Sequence, residues 1–128
     1  MRAIRKTIQL LSLGAAVLIG QTAFAHPKLL SSTPADHAQV SAPERIELRF
    51  SEALVKQFSG ANLLMIGMPG MGDHGPMKIA ATVVPGDDPR TLVVTPAKPL
   101  SPGSYRLEWR AVASDTHPVS GRISFQVK

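Results

Sequence analysis

The sequence predicts an all-β domain built as a two-sheet sandwich, and three observations lead there. Short segments alternate strictly between apolar and polar residues: Ile46, Leu48 and Phe50 interleave with Arg45, Glu47 and Arg49. Tyr105, Leu107 and Trp109 interleave with Arg106, Glu108 and Arg110, and Ile123, Phe125 and Val127 with Arg122, Ser124 and Gln126. Each such segment has one wet and one buried face, the signature of a half-buried strand. Proline and glycine, 11 and 10 in number, punctuate the chain between them, and no stretch sustains a 3.6-residue period. Finally, Leu100-Ser-Pro-Gly-Ser-Tyr105 has the form of a tyrosine corner, in which the phenol bonds back to the loop before its strand.

Taken in order, the strands are expected over residues 28–32, 45–50, 62–66, 78–84, 91–95, 104–113 and 119–127. Seven strands in about 100 residues fit an immunoglobulin-like sandwich. Asp87-Asp88-Pro89 marks the turn between the fourth and fifth. The one helical piece expected is a turn near residues 51–58, with Ser51 able to cap it. Without repeats or a low-complexity linker, the chain reads as one domain.

Residues 1–25 stand apart. Arg2, Arg5 and Lys6 precede a short apolar run from Ile8 to Ile19, and Ala23-Phe24-Ala25 is a small-x-small cleavage signature. The run is shorter than the ~20 residues of a membrane span. A secretory leader cleaved after Ala25 is therefore expected, leaving an exported folded domain over residues 26–128. Removing three of 14 basic residues and none of nine acidic ones leaves 11 against 9, a charge of +2. That balance, with no basic run, gives nucleic-acid binding no support. The chain has no cysteine, so its core alone must hold it together, and thiolate chemistry is excluded.

Two clusters carry chemistry. Met65, Met68, Met71 and Met77 fall in thirteen residues with His74, alongside four glycines and two prolines. The composition predicts an irregular loop, which has little apolar reason to hold four thioethers. Soft sulfur beside an imidazole suits Cu(I). The alternative is a sticky, gap-filling loop.

The second cluster is created by processing. Cleavage before His26 frees an α-amine beside an imidazole, and the two can chelate one metal. The amine's ordinary pKa of about 7.7–8.0 lets a metal displace its proton near neutral pH. Pro27 has no N–H, so the next backbone nitrogen cannot join. Asp115-Thr-His117 supplies a carboxylate and an imidazole that extended backbone would aim to one side. The resulting N,O set suits tetragonal Cu(II), and Glu52 is placed to hydrogen-bond a ligand histidine. Strand parity puts His26, residues 51–61 and residues 114–118 at one end of the sandwich and the methionine segment at the other. His37 falls at the methionine end and reads as solvated surface. Trp109 reads as core, close enough to the His26 end for its fluorescence to report on it.

The residues His26-Pro-Lys, Ser31-Ser-Thr-Pro34, Phe50-Ser-Glu52, Met68-Pro-Gly-Met71, Trp109-Arg-Ala-Val and Ser114-Asp-Thr-His-Pro118 together resemble the periplasmic copper-resistance proteins of the CopC (PcoC, YobA-like) type. The resemblance spans essentially all of residues 26–128. It implies a small Greek-key β-sandwich of cupredoxin or immunoglobulin-like topology and no enzymatic activity. It implies Cu(II) at His26, Asp115 and His117 with Glu52 beside them, and Cu(I) at Met65, Met68, Met71, His74 and Met77. The methionine segment is one residue longer between Met71 and His74 than the family pattern. The implied role is that of a monomeric copper carrier for resistance or homeostasis. Its partners would be periplasmic or inner-membrane copper-handling proteins such as a CopD-like importer. Two other classes remain. An N-terminal histidine on a β-sandwich also resembles the histidine brace of copper monooxygenases, although one Tyr and one Trp leave little surface for a sugar chain. The methionine segment could instead belong to an interaction module that binds no metal.

Overall fold

A computed structural model describes residue 14, residues 26–70 and residues 72–128; of residues 71–74 no side chain is described. The expected leader otherwise lies outside the described residues.

The order is β1 (Leu29–Thr33), β2 (Ala38–Val40), β3 (Ile46–Phe50), a short 3-10 turn (Lys56–Phe58), β4 (Gly60–Met68), β5 (Gly72–Ile79), β6 (Ala81–Pro85), β7 (Thr91–Pro96), β8 (Gly103–Val112) and β9 (Pro118–Val127). Four strands form one sheet in the order β1-β3-β7-β6, and five form the other in the order β2-β9-β8-β4-β5. The alternating residues do what their pattern requires. Ile46, Leu48, Phe50, Leu92 and Val94 of the first sheet meet Leu63, Tyr105, Leu107, Trp109, Ile123 and Phe125 of the second, all buried. No polar or charged residue is buried among those described. Tyr105 and Phe125 stack with ring centroids 5.6 Å apart, and Trp109 meets Phe50 edge-on at 5.0 Å, both favourable aromatic geometries.

The tyrosine corner is present: the Tyr105 hydroxyl donates to the Ser101 carbonyl at 2.6 Å. The Asp88 turn is present too, with Asp88 Oδ1 accepting from Arg90 N–H at 2.9 Å and the Asp88 carbonyl from Thr91 N–H at 3.0 Å.

Four expectations need correcting. The strand expected over 78–84 is two strands: β5 pairs with β4, the chain breaks at Ala80, and β6 crosses to pair with β7 in the other sheet. Both read as one alternation because a sheet change conserves the inward set. β2, three residues pairing in parallel with β9, was not expected, since it is too short to carry a period. The methionine segment is not an irregular loop but the tight hairpin β4–β5. Glycine and proline survive there because β5 is an edge strand, where a missing N–H leaves no partner unpaired. Lastly, Ser51 caps nothing. The 3-10 turn starts after Val55 without a side-chain cap, and Ser51 is bonded to Lys28 instead, as described below.

Candidate metal centre

His26 is the first described residue of the domain, three positions before β1. Two bonds fix it in place: Lys28 N–H donates to the Ser51 hydroxyl at 2.9 Å, and Ser51 N–H donates to the Lys28 carbonyl at 2.8 Å. Pro27, between His26 and Lys28, is fully buried. The segment is thus clamped to the end of β3, where β1 begins its antiparallel pairing opposite Phe50.

Asp115 and His117 come from the connection between β8 and β9. The backbone here is not extended. Thr116 N–H donates to the Ala113 carbonyl at 3.0 Å, and Thr116 has φ of 63°, a left-handed conformation that a β-branched residue avoids. Asp115 Oδ1 accepts the His117 N–H at 3.2 Å. The carboxylate and imidazole therefore converge through a turn closed by the aspartate itself, not through the i, i+2 geometry of a strand. A strained φ held by its surroundings is a recurrent property of functional sites.

The outcome is one cluster. One donor atom from each of His26, Asp115 and His117 lies within 4.8 Å of the others. His26 Nδ1 stands 2.5 Å from Asp115 Oδ2, and the two imidazole rings have centroids 5.5 Å apart. Asp115 Oδ2 is buried, yet no donor reaches it at hydrogen-bonding angles. The 2.5 Å approach of His26 Nδ1 is thus close but not a well-made hydrogen bond. Such a carboxylate oxygen is costly to bury without a partner, and a cation held between the donors is the partner that this chemistry suits. The His26 side chain is 61% exposed against 7% for Asp115, so the site opens to solvent on the histidine side. Glu52, half-buried, follows the Ser51 clamp, but its carboxylate is not among the three convergent donors.

The methionine hairpin lies at the other end. Gly67 pairs with Ser104 at the start of β8, whereas Gly60 pairs with Arg110 near its finish. Since Asp115 lies just past the end of β8, the ten residues of that strand separate the two clusters by roughly 30 Å. Strand parity reached the same placement from a strand count that was too low. Within the hairpin, Met68 and Met77 are exposed, at 40% and 53%. Met65, grouped with them from sequence, is 6% exposed and belongs to the core cluster. The side chains of Met71 and His74 lie outside the described residues. His37 is surface, as expected: its side chain is 84% exposed, with Nε2 3.3 Å from Asp36 Oδ2. Sequence reasoning missed the Ser51–Lys28 clamp and the left-handed Thr116. The Asp-x-His spacing was a usable signal for the second, because aspartate readily accepts from the N–H two residues on.

The described residues contain no helix long and apolar enough to cross a membrane. The chain matches the family described as the CopC domain over residues 29–128. It is 56% identical over 114 residues to copper resistance protein C of Pseudomonas syringae pv. tomato, covering 89% of this chain and 90% of that one. It is 51% identical over 115 residues to copper resistance protein C of Escherichia coli, covering 90% and 91%. The crystal structure of PcoC, a methionine-rich copper resistance protein from Escherichia coli, superposes with a TM-score of 0.76 at 53% identity, covering 81% of this chain and all of that one. With the sandwich, the three-donor cluster and the methionine hairpin all in place, this chain belongs to the CopC family.

Proposed function

We propose that this protein is an exported, periplasmic copper carrier with two sites matched to different oxidation states, one at each end of the sandwich. Cu(II) is held by the His26 imidazole and by the α-amine freed when the leader is cut after Ala25, together with Asp115 and His117. Glu52 orients a ligand histidine. Cu(I) is held by sulfurs of Met68, Met71 and Met77 with His74. Met65 is left out of that set because its side chain packs in the core.

The observation that carries this reading is the convergence of His26, Asp115 and His117 around a buried carboxylate oxygen that has no hydrogen-bond donor. Amine, imidazole and carboxylate are the ligands that tetragonal Cu(II) prefers, and thioethers are those that Cu(I) prefers. Oxidation of the ion at the sulfur end makes it a poor match there and a good one at the other end, and reduction reverses this. The copper ion is cargo, and the role is carriage and ligand exchange rather than catalysis. Supporting this are the relatives named copper resistance protein C. The partners are other copper-handling proteins of the periplasm or inner membrane, and the carrier acts as a monomer.

The test is a pair of titrations, Cu(II) followed by EPR and Cu(I) by competition with a chromogenic chelator. They are run on protein beginning at His26 and on protein carrying one extra N-terminal Met. The extra residue should weaken Cu(II) binding strongly and leave Cu(I) binding nearly unchanged. Equal losses at both sites, or a single equivalent of copper bound in either oxidation state, would refute the two-site reading. Peroxide formation by the copper-loaded protein would favour an oxidative enzyme instead.

A further inference from the structure

The outer face of the five-stranded sheet is basic out of proportion to the chain. Strand register places Lys78, Arg106, Arg110 and Arg122 on it, against one acidic residue, Glu108, in β4, β8 and β9. Glu108 is already engaged, with Oε1 3.0 Å from Arg106 Nη2. Asp36 approaches this sheet only at its far corner, where it accepts from Ser124 N–H and lies beside His37. Arg110 and Arg122 are exposed and have no ion-pair partner among the described residues. On the other sheet the excess is smaller, since Glu47 is paired with Arg45 at 3.1 Å and only Arg49 is left over in β3.

Arg110 and Arg122 also share an open cleft of about 700 Å³ with Phe58, Asn62, Ser120 and Glu108, whose carboxylate is held by Arg106. Phe58 is 59% exposed, an uneconomic position for a phenyl ring in a monomer. The 3-10 turn that carries it is fastened to the end of β8: Val112 N–H donates to the Ser59 hydroxyl at 3.0 Å, and Val55 N–H to the Val112 carbonyl at 2.7 Å. The ring is thus displayed from a held position. The cleft lies at the same end of β8 as Asp115, three residues past Val112.

We propose that this cleft docks an extended acidic segment of a protein partner, with carboxylates at alternate positions and an apolar residue beside them. The spacing argues for that pattern. Arg110 pairs with Ser120 and Glu108 with Arg122, so the two arginines are diagonal neighbours on adjacent strands, roughly 7–8 Å apart. Carboxylates at i and i+2 of an extended chain project to one side roughly 7 Å apart. Each can meet one guanidinium, which is a good carboxylate partner, while an adjacent apolar side chain covers Phe58. The inference concerns a surface and does not depend on either copper site.

The probe is a ten-residue peptide alternating Glu with Ser and Phe and lacking Trp. It is titrated into metal-free protein in EDTA, with binding read from Trp109 emission and from backbone amide shifts. The control peptide has the same composition with its glutamates contiguous. The alternating peptide should bind, with shifts confined to β8, β9 and residues 56–62, and should weaken about tenfold or more on raising salt from 20 to 300 mM. Arg110→Ser with Arg122→Ser should weaken it about tenfold, and Phe58→Ser by a smaller factor, with unchanged melting temperature because all three side chains are exposed. Equal binding of the contiguous peptide, or unchanged affinity in the double arginine variant, would overturn the proposal. So would shifts mapping elsewhere on the wild-type protein. Binding to anionic phosphatidylglycerol vesicles without binding to the peptide would make the face a lipid surface and also refute it.

Discussion

Gly121 is the position at which a single added methyl group should be felt most clearly. It pairs with Trp109 across β8 and β9, and the indole lies over it. A Cβ built on Gly121 would stand 2.7 Å from Trp109 Cε2 and 3.0 Å from Cη2, and closer still to Cζ2. Contacts under 3.0 Å are essentially never seen for real Cβ atoms, so the indole must move. It has little room, since Trp109 is 8% exposed and its ring is set edge-on against Phe50. Overpacking of this kind costs about 1–3 kcal/mol. Against it, Gly→Ala restricts the unfolded chain, a gain of about 0.4–1 kcal/mol where the native backbone suits alanine. Gly121→Ala should therefore destabilise by about 1–2 kcal/mol net, a fall in Tm of roughly 5–15 °C for a domain of this size. Because Trp109 is the chain's only tryptophan, its emission maximum and near-UV circular dichroism should change in the same variant. Pairing the change with Trp109→Phe separates the causes. The smaller ring should remove most of the alanine penalty, giving a coupling of about 1 kcal/mol in a double-mutant cycle. An unshifted Tm together with unchanged emission would refute the packing described for these two residues.

Three further outcomes are expected. Burial, which disfavours the phenolate, pushes the Tyr105 phenol above its ordinary pKa of 10.0. Below that pH both folded and unfolded chains hold the proton; above it the unfolded chain loses its proton first, so stability should fall as pH rises beyond about 10. Urea melts from pH 8 to 11 measure this, and Tyr105→Phe should abolish that slope while costing about 1 kcal/mol at pH 7. Thr116→Asn should stabilise the protein by up to about 1 kcal/mol, because asparagine tolerates the left-handed backbone that threonine resists; lower stability on thermal melting would contradict the strain. Gly103→Ala places a Cβ 2.6 Å from the Gly67 carbonyl oxygen and from Met65 Cε. Since a backbone oxygen cannot swing aside, the loss should exceed about 2 kcal/mol, with amide exchange rising first in the methionine hairpin.

The alternating strands were legible because burial of one face imposes a period of two. Residues 45–50, 104–113 and 119–127 were placed within a residue or two of β3, β8 and β9. The tyrosine corner was legible because its hydrogen bond is local, four residues back along the chain. What was not legible depended on pairing between distant segments. The Pro76 and glycine content of β5 argues for a loop until β4 is known to lie beside it. The break at Ala80 alters no alternation, so nothing local marks the move from one sheet to the other. At the His26 cluster, the residue types announced the donors. The left-handed Thr116 and the Ser51–Lys28 clamp, which decide how those donors meet, follow from tertiary contacts. Met65 shows the same limit: its neighbours in sequence suggest a ligand, whereas its position opposite Tyr105 in the inward row makes it core.

The division among the methionines has a consequence for damage by oxidants. Peroxide and hypochlorous acid convert accessible thioethers to sulfoxides, which are polar and no longer soft. Met68 and Met77 stand open to such attack, whereas Met65 is shielded between the sheets. If the hairpin holds Cu(I) as proposed, mild oxidation would therefore blunt that binding while sparing the sulfur on which packing relies. The lesion would be reversible by reductases that act on exposed sulfoxides, because the sandwich need not unfold for the repair.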